Sequence, residues 1–187
     1  MEFIDVVKKR RSIRAYKPNN PVEPEKIAGM LEAARQAPSW RNLQCWRFMV
    51  ITSEEKRTAV TTTFSPYNPG IKALLQAPVI IVLCANPAES GHWFNKDFYM
   101  LDAGLAMEHL VLAATDQGLA TCWQGSFDEE KMHEILGVPG EFRIIALTPL
   151  GYAAQERDPR PRKDLEQIAF GEQWGEPWKG VANGSLA

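Results

Sequence analysis

Apolar positions recur along this chain in two rhythms. Short β-branched runs occupy Trp46–Thr52, Pro78–Cys84 (PVIIVLC) and Phe142–Thr148 (FRIIALT), each with the length and composition of a buried strand. Ala120–Trp123 is a weaker fourth. Helical spacing takes over between them. Pro24 sits where a first-turn proline belongs, and Ile27, Met30, Leu31 and Ala34 follow one face until Pro38 stops the pattern. Phe3, Ile4, Val6 and Val7 predict a short first helix that packs its apolar side inward and gathers Lys8–Arg10 in its last turn. Met100–Gln117 is apolar around most of its circumference and ends at Gly118, so it belongs in a core or a subunit interface. Asp128–Leu136 opens on acids and closes at Gly137. Helices alternating with strands predict an α/β or α+β sheet covered by helices. With no repeat and no interior linker, residues 1–187 read as a single domain, with 175–187 as a C-terminal extension frayed over its last six or so residues.

Charge changes this picture more than composition does. Lys and Arg number 21 against 23 Asp and Glu, a net −2, which argues against a protein that coats nucleic acid or lies on an acidic membrane. Yet residues 8–17 (KKRRSIRAYK) carry +6 and residues 157–163 (RDPRPRK) carry +3, leaving −11 for the rest. Such clusters call for a small anion or an acidic partner, unless they form a solvated basic surface. No apolar run approaches the ~18–20 residues of a membrane span, and the first residues lack a secretory h-region, so a soluble, cytoplasmic protein is expected. Cys45, Cys84 and Cys122 are odd in number and widely spaced, as reduced packing thiols are.

Several chemistries lack their signatures. There is no GxGxxG, no GxxxxGK[ST], no HExxH and no GxSxG. His92, His109 and His133 are scattered without metal-ligand spacing, and no metal site is expected. Glu54–Glu55 and Glu129–Glu130 cannot face one another on a helix and read as surface carboxylates.

Three segments carry chemistry when taken together: RRSIR (Arg10–Arg14), APSWRNLQCW (Ala37–Trp46) and RPRK (Arg160–Lys163) following LTPLGY. Arginine forks with a neighbouring hydroxyl suit a phosphate, although a solvated helix end has the same composition. Ser39, Asn42 and Gln44 supply donors and acceptors suited to the edge of a planar heterocycle or a polyol chain, and equally to a turn.

In order and spacing these segments, with DAGLAMEHLVLAATDQGLATCW, FDEEKMHEILGVP and PRPRK, resemble the nitroreductase superfamily of flavin mononucleotide enzymes over about residues 3–170. The resemblance implies an α+β fold with a central mixed, mainly antiparallel sheet flanked by helices, in an intertwined homodimer. It implies FMN as cofactor and NADH or NADPH as electron donor. Carried over by position, Arg10, Arg11, Ser12 and Arg14 would hold the flavin phosphate and its ribityl or pyrimidine side. Pro38, Ser39, Trp40, Asn42 and Gln44 would approach the ring or ribityl chain from the other subunit. Gln124 and Gly125 would lie by the redox-active nitrogen with a backbone N–H, and Arg162 and Lys163 would complete the phosphate pocket. No side chain is assigned as an obligatory acid or base; Arg14, and less strongly Lys72, would balance charge on the reduced ring.

This chain departs from the family pattern in three places. Cys45 stands where proline is usual, Trp40–Arg41 replaces two small residues, and Glu108–His109 replaces a polar pair on the long helix. The function implied is hydride transfer from NAD(P)H through FMN to a small electron-poor acceptor: a nitroaromatic, quinone, enone or free flavin. A low-turnover flavin carrier or redox sensor is the alternative, and an α/β protein whose basic clusters bind RNA or an acidic partner a third reading.

Overall fold

A computed structural model describes residues 1–181 of the chain. These form two compact units, Met1–Arg157 and the segment beginning at Asp158. The first unit contains helices α1 (Phe3–Lys9), α2 (Pro24–Arg35), α3 (Glu54–Thr61), α4 (Ile71–Gln76), α5 (Phe98–Asp116) and α6 (Glu129–Leu136). Its strands are β1 (Trp46–Ile51), β2 (Val79–Ala85), β3 (His92–Trp93), β4 (Lys96–Asp97), β5 (Ala120–Thr121) and β6 (Arg143–Gly151). The main sheet runs β1-β2-β6-β5 with every neighbour antiparallel, while β3 and β4 form a separate hairpin. One parallel bridge, Ser12 to Thr121, makes the sheet mixed at its edge.

The alternation of side chains along β2 explains the layering. Val79, Ile81, Leu83 and Ala85 face a core with Met30 and Ala34 of α2 and Ala103, Ala106, Met107 and Leu110 of α5. Ile80, Val82 and Cys84 face the opposite core, with Val60 of α3, Leu74 of α4 and Met132 of α6. A strand buried on both faces must be apolar without interruption, which is why VIIVLCA reads as a run rather than an alternation. Against β6 the register shifts between Leu83 and Cys84, where Ile145 is the extra residue of a bulge.

The predicted elements appear with shifted ends, and three are new. Helix α3 starts at Ser53, whose hydroxyl accepts the Lys56 N–H at 3.1 Å ahead of Glu54 and Glu55, an N-cap signature that the surface-carboxylate reading passed over. Helix α4 has only two turns, too few for a period to show. The β3–β4 hairpin turns on Phe94 and Asn95, both at positive φ. The inward packing expected of α1 is corrected: only Val6 is buried, while Phe3, Ile4 and Val7 are exposed in the single chain.

Glu129 corrects the second expectation. Its carboxylate takes both Arg143 donors at 2.8 Å and the Ile144 N–H at 2.9 Å, tying α6 to β6. The Arg143 hydrogen bond holds this carboxyl below its ordinary value. A depressed folded value means stability that is present above the unfolded carboxylate range, ~4.3, and lost as pH falls through the folded value. Glu129→Gln should therefore cost about 1 kcal/mol and lower Tm by ~2–4 °C at neutral pH, with the difference from the parent shrinking in acid. Calorimetry at pH ~7 and ~3.5 checks it; a difference that grows in acid contradicts it.

The second unit is a short irregular segment. Asp164 and Gln167 form a reciprocal capping box. Phe170 pairs with Pro177 and stacks on Trp174 at 4.8 Å between ring centres. The extension 175–187 is described only to residue 181, so the fraying expected of its end lies outside the described residues.

Candidate functional site

Helix α1 ends at Arg10, and the chain leaves it extended. Ile13 donates its N–H to the Thr121 carbonyl at 3.0 Å, fixing the segment beside β5. Ile13 then enters an apolar cluster with Tyr16, Ala73, Ala77 and Ala120. Arg10 and Arg14 are half-buried, and among the described residues their guanidinium groups have no hydrogen-bond acceptor. What they surround is legible at Cys122. Burial pushes that thiol up, against the opposing pull of Arg14, the Ser12 hydroxyl, Arg157 and Arg10. Glu108 of α5 also feels Arg10; partial desolvation raises its carboxyl despite Arg10 and His109.

Arg11 turns back on its own helix. Its Nη1 donates to the carbonyls of Lys8 at 2.6 Å and Arg10 at 2.7 Å, capping α1. Its Nε is the one buried side-chain N or O without a partner among the described residues. An orphaned buried cationic donor is costly unless an anion reaches it. Arg11 lines a cavity of about 340 Å³ together with Lys9, Arg157, Glu156 and the Gly118–Ala120 backbone. Lys9, which is exposed, and Arg157 are cations beyond those the family resemblance implies. The dense RDPRPRK run was the available signal for the second.

Beyond β5 the backbone passes Gln124 and Gly125, and the structure separates their roles. Gln124 exchanges both backbone hydrogen bonds with Leu147, at 2.8 and 2.9 Å. Its buried side chain donates to the Gly70 carbonyl at 3.3 Å, so closely packed that a Cβ on Gly70 would lie 2.0 Å from Oε1. Gly70 opens α4, whose Lys72 is exposed. The N–H of exposed Gly125 has no partner among the described residues.

The loop Pro38–Gln44 is a 3₁₀ turn over Trp40–Asn42. Asn42 N–H donates to Ser39 O at 3.0 Å, Leu43 N–H to Trp40 O at 2.9 Å, and Gln44 N–H to Ser39 Oγ at 3.0 Å. Gln44 Nε2 donates to Asn42 O at 3.1 Å. The loop is anchored by a residue that sequence reasoning passed over inside the DAGLAMEH run, Asp102 of α5. Asp102 is buried at 2 % exposure. It accepts from Trp40 N–H at 3.0 Å and Ser90 Oγ at 2.7 Å, with Cys45 Sγ at 3.8 Å. The indole of Trp40 lies 4.4 Å from the Phe98 ring centre, over Gly91.

Cys45 is fully buried, and burial followed by the Asp102 charge pushes its thiol up to about 11. A thiol held that high is inert at neutral pH. Native protein treated with iodoacetamide near pH ~7.5 should leave Cys45 unmodified by mass spectrometry, and urea should expose it; labelling without denaturant contradicts this.

Two groups of residues result in the first unit. Arg10, Arg11, Ser12 and Arg14 form one stretch beside β5, and Arg11 shares a cavity there with Lys9 and Arg157, next to the chain that leads to Gln124 and Gly125. Pro38, Ser39, Trp40, Asn42 and Gln44 form the other, and no hydrogen bond, ion pair or ring contact joins the two within one chain among the described residues. Arg162 and Lys163 belong to the second unit, where both are exposed.

Comparison with known proteins gives a consistent answer. Residues 7–152 match the family model described as Nitroreductase family. A protein of Archaeoglobus fulgidus assigned as an NADH dehydrogenase/NAD(P)H nitroreductase is 32% identical over 163 residues, covering 84% of this chain and 88% of that one. Among solved structures, a nitroreductase family protein from Clostridium novyi NT is 36% identical with a TM-score of 0.78, covering 96% of this chain and 98% of that one. An FMN-dependent nitroreductase from Clostridium difficile R20291 is 29% identical with a TM-score of 0.79, covering 91% and 99%.

Proposed function

The chain belongs to the nitroreductase family, and from that premise we propose that it is an FMN-dependent oxidoreductase moving electrons from NADH or NADPH to a small electron-poor acceptor. The observation that supports this reading best is a cavity lined by Lys9, Arg11 and Arg157, where Arg11 keeps a buried, unpartnered donor, with the unpaired Arg10 and Arg14 on the same stretch of chain. Like charges gathered this way repel one another, and a bound anion relieves that repulsion and can take up the free donor. The phosphate of FMN has the charge and size, and the solved relative from Clostridium difficile is itself FMN-dependent.

FMN bound there supplies the two-electron relay between a nicotinamide donor and an acceptor. The chain's own part is to hold and polarise. Arg10, Arg11, Ser12 and Arg157 would take the phosphate end. Arg14, with Lys72, would offset negative charge on the reduced ring. Gly125 offers the free N–H suited to a ring nitrogen, whereas Gln124 acts through its side chain by holding Gly70 at the start of α4. No side-chain acid or base is required.

The loop Pro38–Gln44 would serve the flavin of a second copy, in a homodimer. Two features support this: no hydrogen bond, ion pair or ring contact joins the loop to the Arg10–Arg14 segment of its own chain among the described residues, and large apolar side chains stand in solvent on α1, the β3–β4 hairpin and α5. Phe3 is 70%, Trp93 62%, Phe94 83% and Leu101 56% exposed in the single chain, side chains that a second copy could cover. No described helix is long and apolar enough to cross a membrane.

An absorbance spectrum of purified protein, then anaerobic titration with NADH and NADPH and a panel of quinone, nitroaromatic and enone acceptors, tests the function. A yellow protein bleached by one nucleotide and recoloured by an acceptor is expected. Yellow protein that neither nucleotide bleaches would favour the flavin-carrier reading, and colourless protein that FMN does not stabilise would end both. Sedimentation as a monomer of 21.0 kDa would remove the shared site.

A further inference from the structure

We propose that Arg41 is an anion-recognition residue at the rim of this site, so that the acceptors taken best are planar aromatics bearing a carboxylate or sulfonate. The inference rests on the flavin reading for where the Pro38–Gln44 loop works. Three features of Arg41 itself carry the rest.

The first is backbone conformation. Arg41 has φ 47°, in the left-handed region, and Asn42 and Gln44 follow at 58° and 53°. Glycine adopts this region freely, whereas a side chain there is strained. The strain persists because four hydrogen bonds within Ser39–Gln44 over-determine the turn. A long cation therefore stands where the backbone favours glycine.

The second is charge. Arg35, Arg47 and Arg143 each pair with a carboxylate, and Arg57 donates to the carbonyls of Thr52 and Ala77. Arg41 is exposed and has no acceptor among the described residues. Its guanidinium carbon lies 5.7 Å from the Trp40 ring centre and its donors are open.

The third is rigidity. Trp40 cannot drift, because its N–H is held by buried Asp102, its indole rests on Phe98, and even a Cβ on Gly91 would come within 2.4 Å of the ring. A guanidinium beside a held indole, with no acceptor on its donors, can offer them to a bidentate oxyanion. An aromatic ring carrying the anion can also lie against the same wall.

The test compares 4-nitrobenzoate with 4-nitrobenzamide, near-isosteres that differ in charge, as acceptors for the parent, Arg41→Gln and Arg41→Gly. Dissociation constants for benzoate, read from the visible spectrum of the oxidised flavoprotein, provide a measure without turnover. Both variants should lower the nitrobenzoate-to-nitrobenzamide ratio of kcat/KM by about 5–10-fold relative to the parent, the size expected for one partly exposed charge-assisted pair, by raising KM for nitrobenzoate more than for nitrobenzamide, and should weaken benzoate binding by a similar factor. Arg41→Gly removes the strain as well as the charge, so it should melt no lower than the parent, which separates recognition from folding. An unchanged acceptor ratio with unchanged benzoate affinity in both variants overturns the proposal while leaving the flavin reading intact. Protein that takes up no FMN sinks the flavin reading first, and this inference with it.

Discussion

Replacing both Arg10 and Arg14 by alanine should give a protein that melts close to the parent but no longer retains FMN. The two halves of this result have one cause. Neither guanidinium has a hydrogen-bond acceptor within its own chain among the described residues, and both sit in a field that includes Arg157. Their removal breaks no hydrogen bond or ion pair, and the relief of like-charge repulsion offsets the lost attraction between Arg10 and Glu108, so the ligand-free protein loses little. The flavin loses two charge-assisted partners, each worth ~1.5–3 kcal/mol, or roughly a hundredfold in Kd and more for both. Stabilisation by added FMN should shrink accordingly, because it follows the ratio of free ligand to Kd. Equilibrium dialysis and melting curves with and without FMN check both halves. Full flavin retention in the double variant would remove the phosphate assignment, and a collapse of the ligand-free Tm would show instead that these arginines hold the fold.

Asp102→Leu should be the most destabilising single change outside the two apolar cores, at ~3–5 kcal/mol, on the order of 10 °C in Tm. The carboxylate is buried and satisfies the Trp40 N–H and the Ser90 hydroxyl, with the Cys45 thiol nearby. Leucine leaves those donors buried without acceptors. Asp102→Asn should cost much less, ~1–2 kcal/mol, because the amide oxygen can still accept from Trp40 while its NH₂ faces Ser90, whose hydroxyl can rotate to accept. Urea denaturation of both variants measures this order. If leucine proved as mild as asparagine, the hydrogen bonds to Asp102 would not be what anchors the loop. On the proposed function, both variants should also weaken acceptor and flavin binding by loosening Trp40, the leucine variant more.

The order of the motifs was legible because each rests on short-range physics. Pro24 starts α2, Gly118 and Gly137 close α5 and α6 at φ 75° and 66°, and the apolar β2 run has to be the central strand. What escaped depended on partners distant in sequence. Glu129 looked solvated because its contact is Arg143, fourteen residues away. Asp102 looked like one polar position on an apolar helix because Trp40, Ser90 and Cys45 come from elsewhere in the chain. Helix α1 looked buried because its apolar residues were counted without knowing that only Val6 meets the core.

By itself, the sequence determined the order of the long strands and of helices α1, α2, α5 and α6, the uneven distribution of charge, and through its motifs the family. These follow from periodicity and residue type, which neighbouring positions decide among themselves. Only the tertiary structure decided which basic residues remain unpaired. Arg143, Arg47 and Arg35 are neutralised by carboxylates, and Arg11 turns three donors to different ends: two contacts cap α1 while its Nε stays free. It also divided Gln124 from Gly125, leaving the N–H of Gly125 free, and set Trp40 on Phe98 under an unpaired Arg41. Whether a charge or a donor is satisfied depends on what the fold brings within about 3 Å of it, and residue type alone does not contain that distance.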